Sequence, residues 1–224
     1  MADLAMIEQG TDEWKRARLG MVTASRIADV TARTKTGWGA GRANYMAELI
    51  AEMLTRTPRD TFTNAAMQWG TDTEPQARAS YSFMFDADVT EVGFVLHPTI
   101  GGSGASPDGL VGSDGLVEIK CPQTATHLDT LLGSSIDGKY VKQMQWQMAC
   151  TGRAWCDFVS FDPRLPERMQ LHCRRVERDD DEIKRLEAAV LEFLDELRGK
   201  VDRLLNEYGE APEMPDAVRL LAAG

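Results

Sequence analysis

Long apolar runs are missing from this 224-residue chain, and none of its hydrophobic stretches nears the roughly 20 residues a membrane-spanning helix needs. The opening MADLAMIEQG has neither the basic start nor the apolar core of a secretory leader, so no membrane partner and a cytoplasmic location are expected. Cysteine is scarce. Cys121, Cys150, Cys156 and Cys173 form no C-x-x-C pair, which argues against a disulfide scaffold and leaves reduced thiols as the expectation. His97, His127 and His172 match no zinc spacing, so a zinc hydrolase is disfavoured. A surplus of positive charge is missing too. Lys plus Arg is 25 against 35 Asp plus Glu, a net charge of −10. That balance excludes indiscriminate coating of nucleic acid, yet a local basic groove can coexist with an acidic, cation-binding site. No repeat, linker or low-complexity tract divides the sequence, so one domain over residues 1–224 is expected.

What is present reads as alternating helices and strands. Thr11 to Leu19 has an N-capping threonine, acids in its first turn and Gly20 as terminator, and a second helix is expected to run to about Ala32. Arg33 to Gly41 is glycine-rich, basic and loop-like. Arg42 to Leu54 has a helical apolar period. Asn64 to Phe85 is mostly helical, with a break expected near Trp69-Gly70 and a new start at Thr73-Glu74-Pro75. Val89 to Leu96 reads as one strand. Helices are expected at Thr124 to Leu132 and Lys139 to Cys150, paired strands at Trp155 to Ser160 and Met169 to Val176, and a long helix from Asp179. Its stripe Ile183, Leu186, Val190, Phe193, Leu197, Val201, Leu204 suits the sheet or another subunit, and Gly199 could kink it. The order predicts an α/β protein with a mixed central sheet.

The chemistry concentrates in Gly104 to Cys121, GASPDGLVGSDGLVEIKC. Val111 and Leu116 to Lys120 read as two short strands joined by the Gly112-Ser113-Asp114-Gly115 turn. Folding back brings Asp108 beside Glu118. Side-chain alternation puts Glu118 and Lys120 on one face and Ile119 on the other. Two carboxylates beside an ammonium suit metal-assisted cleavage of a phosphodiester. Mg²⁺, with Mn²⁺ as the alternative, takes oxygen ligands and offsets the anionic charge that repels hydroxide. Glu74, at a helix start, is a candidate third acid, or simply the partner of Arg78. Lys120 could orient water or stabilise developing charge. Among the tryptophans, Trp14 and Trp38 lie beside basic residues and are candidates for base stacking, with packing as the rival role.

Several blocks then resemble, in order, the lambda-type exonucleases of phage recombination systems, within the restriction-endonuclease-like nuclease superfamily. They are EQGTDEWKRARLGMVTAS (8–25), QWGTDTEPQAR (68–78), SPDGLVGSDGLVEIKCP (106–122), YVKQMQWQM (140–148) and FDPR (161–164). The resemblance implies a restriction-endonuclease-like core with helices flanking the sheet. It implies Mg²⁺-dependent degradation of double-stranded DNA from a 5′ end, releasing mononucleotides and leaving a 3′ single strand. By the same resemblance Asp108, Glu118 and the Ile119 carbonyl are metal ligands, with Glu74 helping. Lys120 is the catalytic lysine and Gln143 lies near the attacking water. Arg18, Ser25 and Ser106 form the pocket for the 5′-phosphate, although Arg18 alone would equally suit a helix C-cap. Lys35 lies where the family carries a pocket arginine, and lysine lacks that group's bidentate geometry. Met67 matches an apolar wedge at the end base pair. The family also implies a homotrimer and a single-strand annealing protein as partner. An endonuclease of the same core, or a DNA-end-binding protein that does not cleave, are the alternatives.

Overall fold

The computed structural model describes residues 4–35, 37–59 and 64–209. A 3-10 turn at Leu4–Met6 precedes α1 (Asp12–Ala17) and β1 (Val22–Thr23). A second 3-10 turn, Ala24–Arg26, leads into α2 (Ile27–Val30), the hairpin β2 (Arg33–Thr34) and β3 (Gly37–Trp38), α3 (Ala40–Thr55) and α4 (Ala65–Phe85). Five strands follow: β4 (Val89–Thr90), β5 (Val95–Leu96), β6 (Ser103–Ala105), β7 (Gly109–Val111) and β8 (Gly115–Lys120). Then come α5 (Thr124–Leu131), α6 (Gly138–Thr151), β9 (Trp155–Phe161), β10 (Leu171–Glu177) and α7 (Asp180–Tyr208).

The central sheet has the order β10-β9-β8-β7-β4. Only β8 and β9 run parallel within it, joined through α5 and α6, as a parallel pair requires a crossover. The expected mixed sheet is therefore what forms. Residue alternation along β8 and β9 splits the core in two. Val117, Ile119, Val159 and Phe161 pack against Ala77 and Tyr81 of α4. Leu116, Cys156 and Phe158 face Met144 and Met148 of α6. Glu118 and Lys120 share the parity of Leu116 and so face α6. A second sheet, β1-β6-β5, lies beside the largest apolar cluster.

Tertiary contacts override the local reading in five places. The segment Arg33 to Gly41 is not a plain loop: it holds the β2–β3 hairpin, in which Arg33 pairs with Trp38, and the start of α3. Helix α4 runs unbroken through Trp69-Gly70 and Pro75. Packing of Ala77 and Tyr81 on the sheet holds the helix together against the roughly 1 kcal/mol penalty of glycine and the roughly 3 kcal/mol of an interior proline. Val89 to Leu96 splits into β4 and β5, in different sheets. At the split, Gly93 and Phe94 donate their N–H groups to Ala5 and Leu4 (2.8 and 2.9 Å), and a Cβ on Gly93 would sit 2.2 Å from the Ile7 carbonyl. The three-residue β6, with Gly104 at its centre, gave no strand signal of its own.

Helix α7 is continuous past Gly199, and its stripe packs on helices rather than on the sheet. Leu186, Val190, Phe193 and Leu197 meet Ile27 and Val30 of α2, Tyr45, Met46 and Leu49 of α3 and Trp146 of α6. No helix among the described residues is long and apolar enough to cross a membrane.

Candidate active site

The chain enters β7 through Ser106-Pro107-Asp108-Gly109. A Cβ on Gly109 would meet Val89 at 2.4 Å and Val117 at 3.0 Å, so only glycine lets this segment lie so close to β8. Asp108 then reaches across the end of β7, and its Oδ2 accepts the Ile119 N–H at 2.7 Å. The N–H and C=O of one strand residue point to the same side, so the Ile119 carbonyl also faces the Asp108 side of β8.

Glu118 has no exposed surface, and its carboxylate is fully engaged. Oε1 accepts from Gln143 Nε2 at 2.7 Å and pairs with the Lys120 ammonium. Oε2 accepts from Gln147 Nε2 at 2.6 Å. The two glutamines are one turn apart on α6, which is why a single helix delivers both. Gln147 is itself fully buried.

On the opposite helix α4, Glu74 and Arg78 are also one turn apart, and Arg78 Nη2 donates to Glu74 Oε1 at 2.6 Å. Arg78 does more than pair with its neighbour. Its Nε donates to the Asp108 carbonyl at 3.1 Å and its Nη1 lies 3.0 Å from Glu91. It ties α4 to the strand entry that carries Asp108.

Burial pushes the Asp108 carboxyl well above the ordinary carboxylate range, Glu118 and Glu74 push it further, and Lys120 only partly offsets them. Glu74 is raised as well, chiefly by burial, against the pull of Arg78 and Lys120. For Lys120 burial favours the neutral amine, but Glu118 and Asp108 outweigh it and hold the ammonium charged. The cluster thus carries more negative charge than one lysine balances, a donor set that suits a hard cation. Asp108 and Glu118 fit such an ion. Among the described residues no group of three His, Cys, Asp or Glu side chains is gathered tightly enough to hold one, and Glu74 faces Asp108, Glu118 and Lys120 from α4 while bonded to Arg78.

A cavity of about 210 Å³ opens beside these groups. Asp108, Glu118, Lys120 and Gln143 line it, together with Arg18, Ser25 and Ser106. Arg18 ends α1, and its guanidinium lies 3.6 Å over the Trp14 ring, whose Nε1 donates to Ser106 Oγ at 3.0 Å. Burial lowers the Arg18 pKa despite Tyr45 and Glu52, and Arg18 has no ion pair among the described residues. An arginine so placed is a ready receptor for an anion. Ser25 is exposed and lies 3.4 Å from the Thr23 hydroxyl. Trp14 is therefore part of this wall, while Met67 stands half exposed on the first turn of α4.

Lys35 is not brought to the cavity. It is exposed at the turn of the β2–β3 hairpin and is not among the cavity-lining residues. Two groups escaped the sequence reading: Gln147, which was given no role, and Arg78, which was read only as a partner for Glu74. The four-residue spacing to a known site residue was the available signal in both cases.

A family model described as the YqaJ-like viral recombinase domain matches residues 13–154. An alkaline exonuclease from Laribacter hongkongensis, LHK-Exo, is 56% identical with a TM-score of 0.82, covering 88% of this chain and 97% of that one. The structure of LHK-Exo in complex with dAMP matches with the same values. A phage-related exonuclease from Haemophilus somnus 129PT shares the fold at 16% identity, with a TM-score of 0.64 over 80% of this chain and 96% of that one. No curated protein matches the sequence. The architecture is thus the restriction-endonuclease-like one.

Proposed function

Because the chain belongs to the YqaJ-like viral recombinase family and is a relative of an alkaline exonuclease, we propose that it is a Mg²⁺-dependent exonuclease that degrades duplex DNA 5′ to 3′. It releases 5′-mononucleotides and leaves a 3′ single strand. The observation that carries the reading is the shared cavity: Asp108, Glu118, Lys120 and Gln143 line it together with Arg18, Ser25 and Ser106.

Mg²⁺, with Mn²⁺ as a substitute, would be held by Asp108, Glu118 and the Ile119 carbonyl, and it supplies charge neutralisation and a more acidic bound water. Gln143 and Gln147 fix the Glu118 carboxylate. Gln143, facing the cavity, can also accept a hydrogen bond from the incoming water through its amide oxygen. Lys120, held charged by Glu118, stabilises the negative charge that builds on the phosphate as the nucleophile arrives. Arg78 keeps Glu74 and the Asp108 backbone in register. Arg18, with the Ser25 and Ser106 hydroxyls, receives the terminal 5′-phosphate and so sets polarity and register of cutting. The family resemblance supports a homotrimer and a single-strand annealing partner.

Linear duplex with labelled 5′-phosphate ends, incubated with Mg²⁺, should yield mononucleotides, and covalently closed circular DNA should remain intact. Asp108→Ala and Lys120→Ala should abolish release while the unfolding transition remains cooperative. Arg18→Ala should cut the preference for a 5′-phosphate over a 5′-hydroxyl end. Absence of mononucleotides from the wild-type protein would end the proposal.

A further inference from the structure

A second cavity, of about 340 Å³, lies where the β2–β3 hairpin meets α6 and α7. Its lining carries three cations, Arg33, Lys142 and Arg185, and one carboxylate, Glu182. In a chain of net charge −10 that is a local reversal of sign. Arg185 is neutralised by Glu182, 2.9 Å away. The other two are not. Lys142 is half-buried and its Nζ donates to the Thr31 hydroxyl at 2.9 Å. Arg33 is exposed, with its guanidinium 3.8 Å from the centre of the Trp38 ring, its partner across the hairpin. Neither has a carboxylate within ion-pair distance among the described residues.

The placement relates this pocket to the catalytic one. Lys142 precedes Gln143 on α6, and Thr31 in the lining of the second cavity follows Ser25 in that of the first by six positions, with α2 between them. A DNA strand with its end at Glu118 carries further phosphates about every 3.4 Å along the helix axis. A pre-held ammonium and an arginine braced on an indole suit that repeating anion, because phosphate oxygens take most protein–DNA hydrogen bonds and Arg and Lys are their usual donors. We propose that Lys142 and Arg33 form a phosphodiester-backbone site that holds the DNA beyond its reacting end. This rests on the nuclease reading above.

The test is DNA binding without turnover. A fluorescent 5′-phosphorylated duplex in EDTA is titrated with wild-type protein, Lys142→Met, Arg33→Met and the double variant over a range of NaCl concentrations. Each lost phosphate contact should flatten the slope of log K against log[NaCl] by about 0.9, hence about 1.8 for the double variant, and Lys142→Arg should restore the first step. Arg33 is exposed, so Arg33→Met reports even if Lys142→Met proves unstable. Unchanged slopes in folded variants would overturn the site. Mononucleotide release by the wild-type protein is scored separately, so an enzyme that cuts but shows unaltered slopes refutes this site alone. A wild-type protein that neither binds DNA nor releases mononucleotides refutes both.

Discussion

Replacing Gln147 by leucine isolates what a buried donor does for Glu118. Leucine fills much the same space but leaves Oε2, now bonded at 2.6 Å, without a partner in a site with no exposure. A hydrogen bond to a charged group contributes about 1.5–3 kcal/mol, and stranding a buried acceptor costs its desolvation. Oε1 keeps Gln143 and Lys120, so the loss should fall near the middle, about 2 kcal/mol. At about 2–4 °C per kcal/mol for a chain of this size, Tm should drop by about 4–8 °C. Urea unfolding of Gln147→Leu, Glu118→Gln and the double variant measures the coupling directly. Against a neutral amide acceptor the same leucine should cost only about 1 kcal/mol. A loss within about 0.5 kcal/mol of zero, or an equal loss in both backgrounds, would refute the claim that Gln147 acts through the charge of Glu118.

Added Mg²⁺ should raise the Tm of the wild-type protein by linkage, about 2.7 kcal/mol at a hundredfold excess over Kd, and Asp108→Asn should lose most of that shift in calorimetry. Tyr81→Phe removes the 2.8 Å donation to Asp157 Oδ2 while both Arg175 bonds remain, so it should destabilise by about 1–2 kcal/mol in urea, and a neutral outcome would contradict the network. Burial tends to raise the Asp162 pKa, but hydrogen bonds from Arg164 and Thr124 prevail and hold it down to about 2, against an ordinary 3.8. A depressed folded-state pKa contributes stability above the ordinary value that is lost as pH falls through the folded one. Asp162→Asn should therefore flatten the decline in urea midpoint between about pH 4 and pH 2, and an unaltered acid limb would refute it.

Local chemistry was enough for the elements whose signals agree. The Gly112 turn between two apolar strands set the β7–β8 hairpin, and period-two alternation put Glu118 and Lys120 on one face. Thr11 marked one helix start as its N-cap, with the expected side-chain bond, and the run of acids from Asp179 marked another. The break predicted in α4 did not occur: glycine and proline penalties, about 1 and about 3 kcal/mol, act locally, while Ala77 and Tyr81 tie the helix beyond them to the sheet. Strand Val89 to Leu96 was misread because its alternation is real but its hydrogen-bond partners, Leu4 and Ala5, are more than eighty residues away in sequence.

The chain's own residues, read in order, determined the α/β class, the acid–acid–lysine set and the family resemblance, since each depends on spacing within a few tens of residues. Whether Arg18 caps a helix or faces the acids, whether Gln147 is solvated or locked on Glu118, and whether Lys35 reaches the cavity were decided only by packing. Those outcomes depend on how α1, α6 and the β2–β3 hairpin lie against β8. Burial of side chains from distant segments sets that arrangement, and no local pattern encodes it.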